Sequence, residues 1–187
     1  MPLEDQEKLV KECLKGKPGA QKRLYDQFAS SMLGVCYRYT KNLQDAENVL
    51  QEGFVKVFLN LHKFRNEGEL GGWIRKIMVN SCITYLKANR RYSYEMPSPE
   101  YASHPVIQDD LDLKMDVKQL AGLIRELPSG YQTIFNLHAI EGFSHVEIGG
   151  MLGISDGTSR SQYARARSML MKWIRFYSSQ AKGSSYG

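Results

Sequence analysis

The sequence predicts an all-α protein made of two small helical domains joined by a flexible linker. Three observations carry that expectation. Apolar residues recur three and four positions apart through most of the 187 residues, the period of a half-buried helix. The stretch 92–110, YSYEMPSPEYASHPVIQDD, holds three of the six prolines and has almost no helical period, as a linker would. No run alternates apolar and polar residues strongly enough to read as a strand. The boundaries that follow are 1–92 for the first domain, 93–112 for the linker, 113–177 for the second domain and 178–187 for a polar Gly/Ser tail.

Residues 3–14 place Leu3, Glu7, Val10 and Leu14 at helical spacing, and Gly16, Pro18 and Gly19 then break the chain. A second helix runs from Ala20 to about Thr40 on the stripe Leu24, Phe28, Met32, Val35 and Tyr39. The third, from about Asp45 to Leu61, turns Leu50, Phe54, Val57 and Leu61 inward and Asp45, Asn48 and Glu52 to another face. Gly68, Gly71 and Gly72 mark a loop over 64–72. A fourth helix, from Trp73 to about Arg91, buries Ile74, Ile77, Met78 and Leu86 and ends in the cations Lys87, Arg90 and Arg91. Beyond the linker a new stripe follows, Leu113, Val117, Leu120, Ile124 and Leu127, closed by Pro128. Three more helix signals lead to the tail.

Lys and Arg exceed Asp and Glu by 25 to 20, a net charge of +5. Such an excess suits a polyanionic partner such as nucleic acid, and equally an ordinary basic soluble protein. Cys13, Cys36 and Cys82 are odd in number, far apart and free of C-x-x-C spacing, which argues against a disulfide scaffold or a zinc site. No run reaches the length of a membrane span, and MPLEDQEKLV is acidic and amphipathic rather than a signal peptide. Membrane insertion is therefore not expected, and a cytoplasmic location is.

The most informative stretch is 128–175. Gly142 stops one helix, and Ser144-x-x-Glu147 reads as a capping box opening the next. Gly153 is placed to end that helix in the left-handed conformation, and Ser155 to cap another from Asp156. Two short helices joined by such a turn read as a helix-turn-helix. On the second, Ser159, Tyr163, Ala166 and Leu170 fall on an inward stripe, while Arg160, Ser161, Ala164, Arg165 and Arg167 project elsewhere. Arginine can pair with guanine edges in the major groove or neutralise phosphates; the competing reading is a solvated cationic face.

In the first domain, Asp45, Asn48, Gln51 and Glu52 line one polar helix face, either a docking surface for a basic partner or acids near a positive helix start. In WIRKIMVNSCITYLKANRR (73–91), aromatic and basic residues interleave. That composition can stack on unpaired bases while its cations follow the backbone, or it can be core aromatics with snorkelling cations. His62, His104, His138 and His145 are scattered, His138 at a structural, core-side position. No phosphate loop, nucleophile elbow or metal spacing is found, so neither an enzyme nor a cofactor is expected.

DAENVLQEGFVKVF (45–58), followed by Phe64, Trp73, Ile74, Ile77, Asn80, Arg90 and Arg91, resembles region two of bacterial sigma factors. LPSGYQTIFNLHAIEGFSHVEIGGMLGISDGTSRSQYARAR (127–167) resembles region four. The resemblance covers about residues 20–92 and 113–175, and the short connection between them points to the extracytoplasmic-function group of the sigma-70 family. It implies a protein that binds core RNA polymerase and promoter DNA and directs promoter-specific initiation. It implies docking of Asp45, Asn48, Gln51, Glu52 and Phe54 on the clamp helices of the polymerase beta-prime subunit. It implies capture of an unstacked −10 base by the loop 65–72 and by Trp73, Lys76, Asn80 and Thr84, with Arg90 and Arg91 nearby. It further implies −35 recognition by Thr158, Arg160, Ser161, Gln162, Ala164, Arg165 and Arg167, a contact with the beta flap, and an anti-sigma factor as a possible partner.

Three departures stand out. Ser159 replaces a hydrophobic residue common in the family, and Gly149 replaces an alanine. The adjacent Gly149 and Gly150 are expected to soften the first helix of the motif. The segment Glu67–Gly72 is glycine-rich where relatives often carry a serine and a phenylalanine. Two rival classes are a stand-alone helix-turn-helix regulator, which leaves the acidic and Trp helices without purpose, and an interaction module that antagonises another sigma factor.

Overall fold

A computed structural model of the chain describes residues 3–89 and 116–183, with side chains for 5–89 and 116–177. They fall into two compact units. The described residues are helical with no strand. None of these helices is long and apolar enough to cross a membrane. The linker, and with it Arg90 and Arg91, lies outside the described residues.

The first unit holds α1 (Leu3–Leu14), α2 (Pro18–Tyr37), α3 (Leu43–Asn60), a 3-10 turn (Leu61–Lys63) and α4 (Leu70–Ala88). Pro18 opens α2, where its fixed φ is already helical and its missing N–H costs no bond. Asn42 caps α3 by accepting from the Asp45 amide at 2.8 Å. α2, α3 and α4 pack on one another, and α1 packs on α2. Leu24, Cys36, Val57, Leu70, Ile74, Met78 and Cys82 are wholly buried among them. The buried side of α1 is Gln6, Leu9, Val10 and Cys13. Leu14, expected on that stripe, is 51% exposed, because the helix ends there and its last turn leaves the core.

α4 begins three residues earlier than the sequence predicts. Gly71 and Gly72, expected in a loop, form its first turn. Leu70 ahead of them is fully buried and anchors that turn.

The second unit holds α5 (Val117–Glu126), α6 (Ser129–Phe135), a π-helical turn (Asn136–Ile140), α7 (His145–Leu152) and α8 (Asp156–Gly183). α8 continues through the first six residues of the expected tail. Asp116 and Gln119 form a capping box that starts α5. This start turns Val117 outward at 85% exposure and leaves Leu120 on the surface. Burial begins with Leu123, Ile124 and Leu127, which join Tyr131, Ala166, Leu170 and Ile174 in one core.

Candidate nucleic-acid interface

The turn between α7 and α8 is built as its residue types dictate. Ser144 Oγ accepts from the Glu147 amide at 3.2 Å, while Glu147 Oε2 accepts from the Ser144 amide at 2.8 Å. Gly153 ends α7 at φ 74° and ψ 36°, the left-handed region where a side chain is strained. Ser155 Oγ then accepts from the Thr158 amide at 2.9 Å and starts α8. α6 and α7 both pack against α8, leaving one side of its first turns open.

That open side carries Arg160, Ser161, Ala164 and Arg167, all exposed, with Thr158 and Arg165 half-buried at its edges. Arg160 is tied to Asp156 at 3.0 Å, one helical turn back. Arg167 lies 6.0 Å from the centre of the Tyr163 ring. Gln162, expected among the DNA contacts, is 7% exposed, and its Oε1 has no hydrogen-bond partner among the described residues. It stands three residues after the inward Ser159 and four before the inward Ala166, so the helical period turns it toward the core. It is removed from the exposed set.

Ser159 is fully buried, and its hydroxyl meets His145 Nδ1 at 2.8 Å. The His145 ring stacks on His138, centroids 4.1 Å apart. His138 Nδ1 in turn donates to the Phe143 carbonyl at 2.8 Å, the structural part expected of it. The serine that departs from the family pattern thus has a partner across the turn. Burial, then the neighbouring His138 and Arg160, push the His145 imidazole below the usual histidine range, against the pull of Asp156.

In the first unit, Lys76, Asn80 and Thr84 are exposed at four-residue spacing along α4, and Thr84 Oγ1 donates to the Asn80 carbonyl at 2.9 Å. Trp73, half-buried at the start of this face, lies 5.6 Å from the Phe64 ring. Part of its surface therefore packs and part remains open. On α3, Asn48, Gln51 and Glu52 are exposed and Asp45 is half-buried. Phe54 does not join them: it is 3% exposed, with its ring 4.7 Å from Tyr25 and 6.2 Å from Phe58. It belongs to the inward stripe with Leu50 and Val57, so its burial takes it out of the expected docking set. The exposed side of α3 also carries two apolar side chains outside the expected set, Val55 at 58% and Leu59 at 69% exposure. They stand seven residues after Asn48 and Glu52, two turns along the same face.

The comparisons with known proteins meet this geometry at both units. The profile of Sigma-70 region 2 matches residues 24–92, and that of Sigma-70, region 4 matches residues 118–170. The chain is similar to the ECF RNA polymerase sigma factor SigW of Bacillus subtilis, 26% identical over 90% of this chain and 96% of that one. It is 30% identical to the ECF RNA polymerase sigma factor SigE of Mycolicibacterium smegmatis, over 87% of this chain and 64% of the relative. Two region profiles in family order decide the matter.

The chain belongs to the extracytoplasmic-function group of the sigma-70 family.

Among solved structures, the sigma factor RpoE of Bartonella quintana, in complex with the anti-sigma factor NepR, shares the fold. Its TM-score is 0.50 at 18% identity, covering 82% of this chain and 96% of that one.

Two consequences for this sigma factor's helix-turn-helix can be measured. A Cβ on Gly149 would lie 2.8 Å from the Ile154 carbonyl oxygen, whereas one on Gly150 would meet nothing within 4 Å. Gly150→Ala is expected to stabilise the unit by about 0.5–1 kcal/mol, since alanine costs less helix entropy. Gly149→Ala is expected to destabilise it by about 1–3 kcal/mol, because the turn must shift. Denaturant midpoints of the two variants, read on the second unit's transition, should move in opposite directions; movement in the same direction would contradict the close approach at Gly149.

The second consequence concerns acid. The unfolded chain protonates His145 near its ordinary pKa of 6.5, while the folded unit does so only at lower pH. Between those points the unfolded state binds more protons, so stability is complete above about pH 6.5 and falls as pH drops through the folded value. Thermal scans across this range should show the second unit losing Tm, with a shallower slope in His145→Gln. An equal slope in the variant would exclude His145 as the source.

Proposed function

We propose that the exposed faces described above divide promoter recognition and polymerase docking between the two units. As a sigma factor, the protein binds core RNA polymerase and promoter DNA, directs promoter-specific transcription initiation and catalyses no reaction of its own. Asn48, Gln51 and Glu52, with Asp45 behind them and Val55 and Leu59 beyond, form the docking surface for the clamp helices of the polymerase beta-prime subunit. A polar stretch continuing into two apolar side chains suits an interface with a packed centre and a charged rim.

Trp73, Lys76, Asn80 and Thr84, with the loop before them, hold an unpaired base of the −10 element. An aromatic surface beside exposed polar and cationic groups supports this, since flipping a base costs a few kcal/mol that stacking and hydrogen bonds offset. Arg160, Ser161, Arg165 and Arg167, with Thr158 and Ala164 at close approach, read the −35 element as duplex in the major groove. The second unit also meets the beta flap, and an anti-sigma factor holds the protein inactive in the cytoplasm. Family membership supports these last two assignments.

The observation that carries the reading is the presence in one chain of a capped helix-turn-helix with an open arginine face and a separate Trp-led polar face on α4. The test is permanganate and hydroxyl-radical footprinting of the reconstituted holoenzyme on a promoter it transcribes. Thymine reactivity confined to the −10 region, with backbone protection at −35 that Arg160→Ala and Arg165→Ala weaken, is the expected pattern. Protection at −35 that both variants leave intact would contradict the assignment.

A further inference from the structure

The start of α4 is held from a distant part of the chain. Glu69 stands at its N-cap, yet the Glu69 side chain makes no capping bond. The Leu70 amide, one of the helix's first N–H groups, donates instead to Gln6 Oε1 of α1 at 3.0 Å. The other end of the same side chain, Nε2, donates to the Gly68 carbonyl at 3.3 Å. Gln6 is 5% exposed, and Leu70 is fully buried. One primary amide thus supplies a donor and an acceptor to the backbone of residues 68–70, as a neighbouring peptide would. Water has little access to replace it. Loss of the bond would leave a buried amide unpaired, the costly case for a hydrogen bond.

The clasped segment lies between a strained position and the candidate base-capture face. Asn66 has φ 57°, in the left-handed region that non-glycine residues rarely occupy. Trp73 follows one turn after Leu70, against Phe64 on the other side of the loop. A Cβ on Gly71 would stand 3.1 Å from the Phe28 ring, so this turn also sits close against α2. Gly68 within the segment, and Gly71 and Gly72 just after it, have no side chains of their own to fix it.

We propose that Gln6 is a positioning residue for −10 recognition: its side-chain amide fixes residues 68–70, and through them the base-capture loop and Trp73. The proposal rests on the reading that this loop and the α4 face hold an unpaired base. Gln6 lies outside residues 24–92, which match the region 2 profile. α1 is therefore part of the promoter-reading device and not only a cover for the bundle. A loop set before DNA arrives loses less entropy on capturing a base, so the clasp acts on discrimination more than on general affinity.

The test uses holoenzyme reconstituted from core polymerase and the full chain, on a promoter mapped by run-off transcription. Rates of open-complex formation are measured on the intact template and on templates with one abasic site at each −10 position in turn. The quantity of interest is the intact-to-abasic ratio. A smaller folded fraction lowers both rates together and leaves the ratio unchanged. Gln6→Met keeps length and burial but can neither donate to Gly68 nor accept from Leu70. It is expected to reduce the ratio at the captured position about tenfold, from the loss of one buried and one part-buried hydrogen bond, with core affinity unchanged. Gln6→Leu likewise removes both bonds while staying apolar, and should match Gln6→Met. Should Gln6→Met fail to fold, Gln6→Leu decides alone. Ratios equal to wild type in the folded variants would overturn the proposal. A wild-type protein insensitive to every abasic site would overturn the base-capture reading and the proposal with it, and the wild-type arm alone reveals that case.

Discussion

Glu52→Lys is expected to weaken binding to core polymerase by about a hundredfold, close to 3 kcal/mol, the scale of a like-charge contact in an interface. Glu52 is exposed on α3 beside Gln51 and one turn after Asn48. Glutamate and lysine have similar helix propensity, so the first unit should keep its stability. The effect should therefore appear in core capture and not in the unfolding midpoint. Binding of the second unit to −35 duplex should be untouched, because Glu52 belongs to the other unit. Phe54→Leu provides the contrast. Phe54 is buried against Tyr25, so this change should lower stability and leave core affinity per folded molecule unchanged. Unchanged core affinity in Glu52→Lys would remove α3 from the docking surface.

Arg165→Ala is expected to cost about 1–3 kcal/mol in −35 recognition, roughly a fivefold to 150-fold loss, when the guanidinium pairs with a base edge. The salt dependence separates the two ways an arginine can act. A base contact relaxes sequence preference at one position, while a phosphate contact weakens all sequences alike and lowers the salt slope by about one. Arg160→Ala should have the smaller effect of the two. Its guanidinium already pairs with Asp156, and DNA must displace that bond before gaining a new one. An exposed pair of this kind is weak, so its displacement costs little. Gel-shift titrations of holoenzyme on −35 variants at two salt concentrations distinguish these outcomes. Full retention of −35 affinity in Arg165→Ala would contradict its placement in the groove.

The sequence was most legible where short-range chemistry decides the structure. Ser144 with Glu147, Gly153 and Ser155 each act within a few residues of themselves, and each takes the part its type suggests. The helical period also identified the inward stripe of α3, and it had already placed Phe54 there. The family resemblance moved Phe54 outward, and the packing against Tyr25 returns it to the core. Gln162 is a similar case: the resemblance places it among the DNA contacts, whereas its position between Ser159 and Ala166 dictates burial.

Long-range partners were not legible. Gly71 and Gly72 suggested a loop because their helix is capped by Gln6, 64 residues from Leu70. The pairing of Ser159 with His145 across the turn needed coordinates, although a serine on an apolar stripe already implied a buried partner. Val55 and Leu59 lie off the inward stripe of α3 and stay exposed, as some apolar residues on every folded surface do.

The central claim is that this chain becomes the promoter-reading subunit of RNA polymerase. The most direct measurement is capture of sigma-free core polymerase by the purified protein, followed by run-off transcription on promoters of its own genome, including the one upstream of its own gene. Stable capture together with discrete transcripts that start a fixed distance from shared −35 and −10 sequences is the expected result. A well-folded protein that binds duplex DNA unaided but captures no core polymerase would contradict the claim and identify a stand-alone helix-turn-helix regulator.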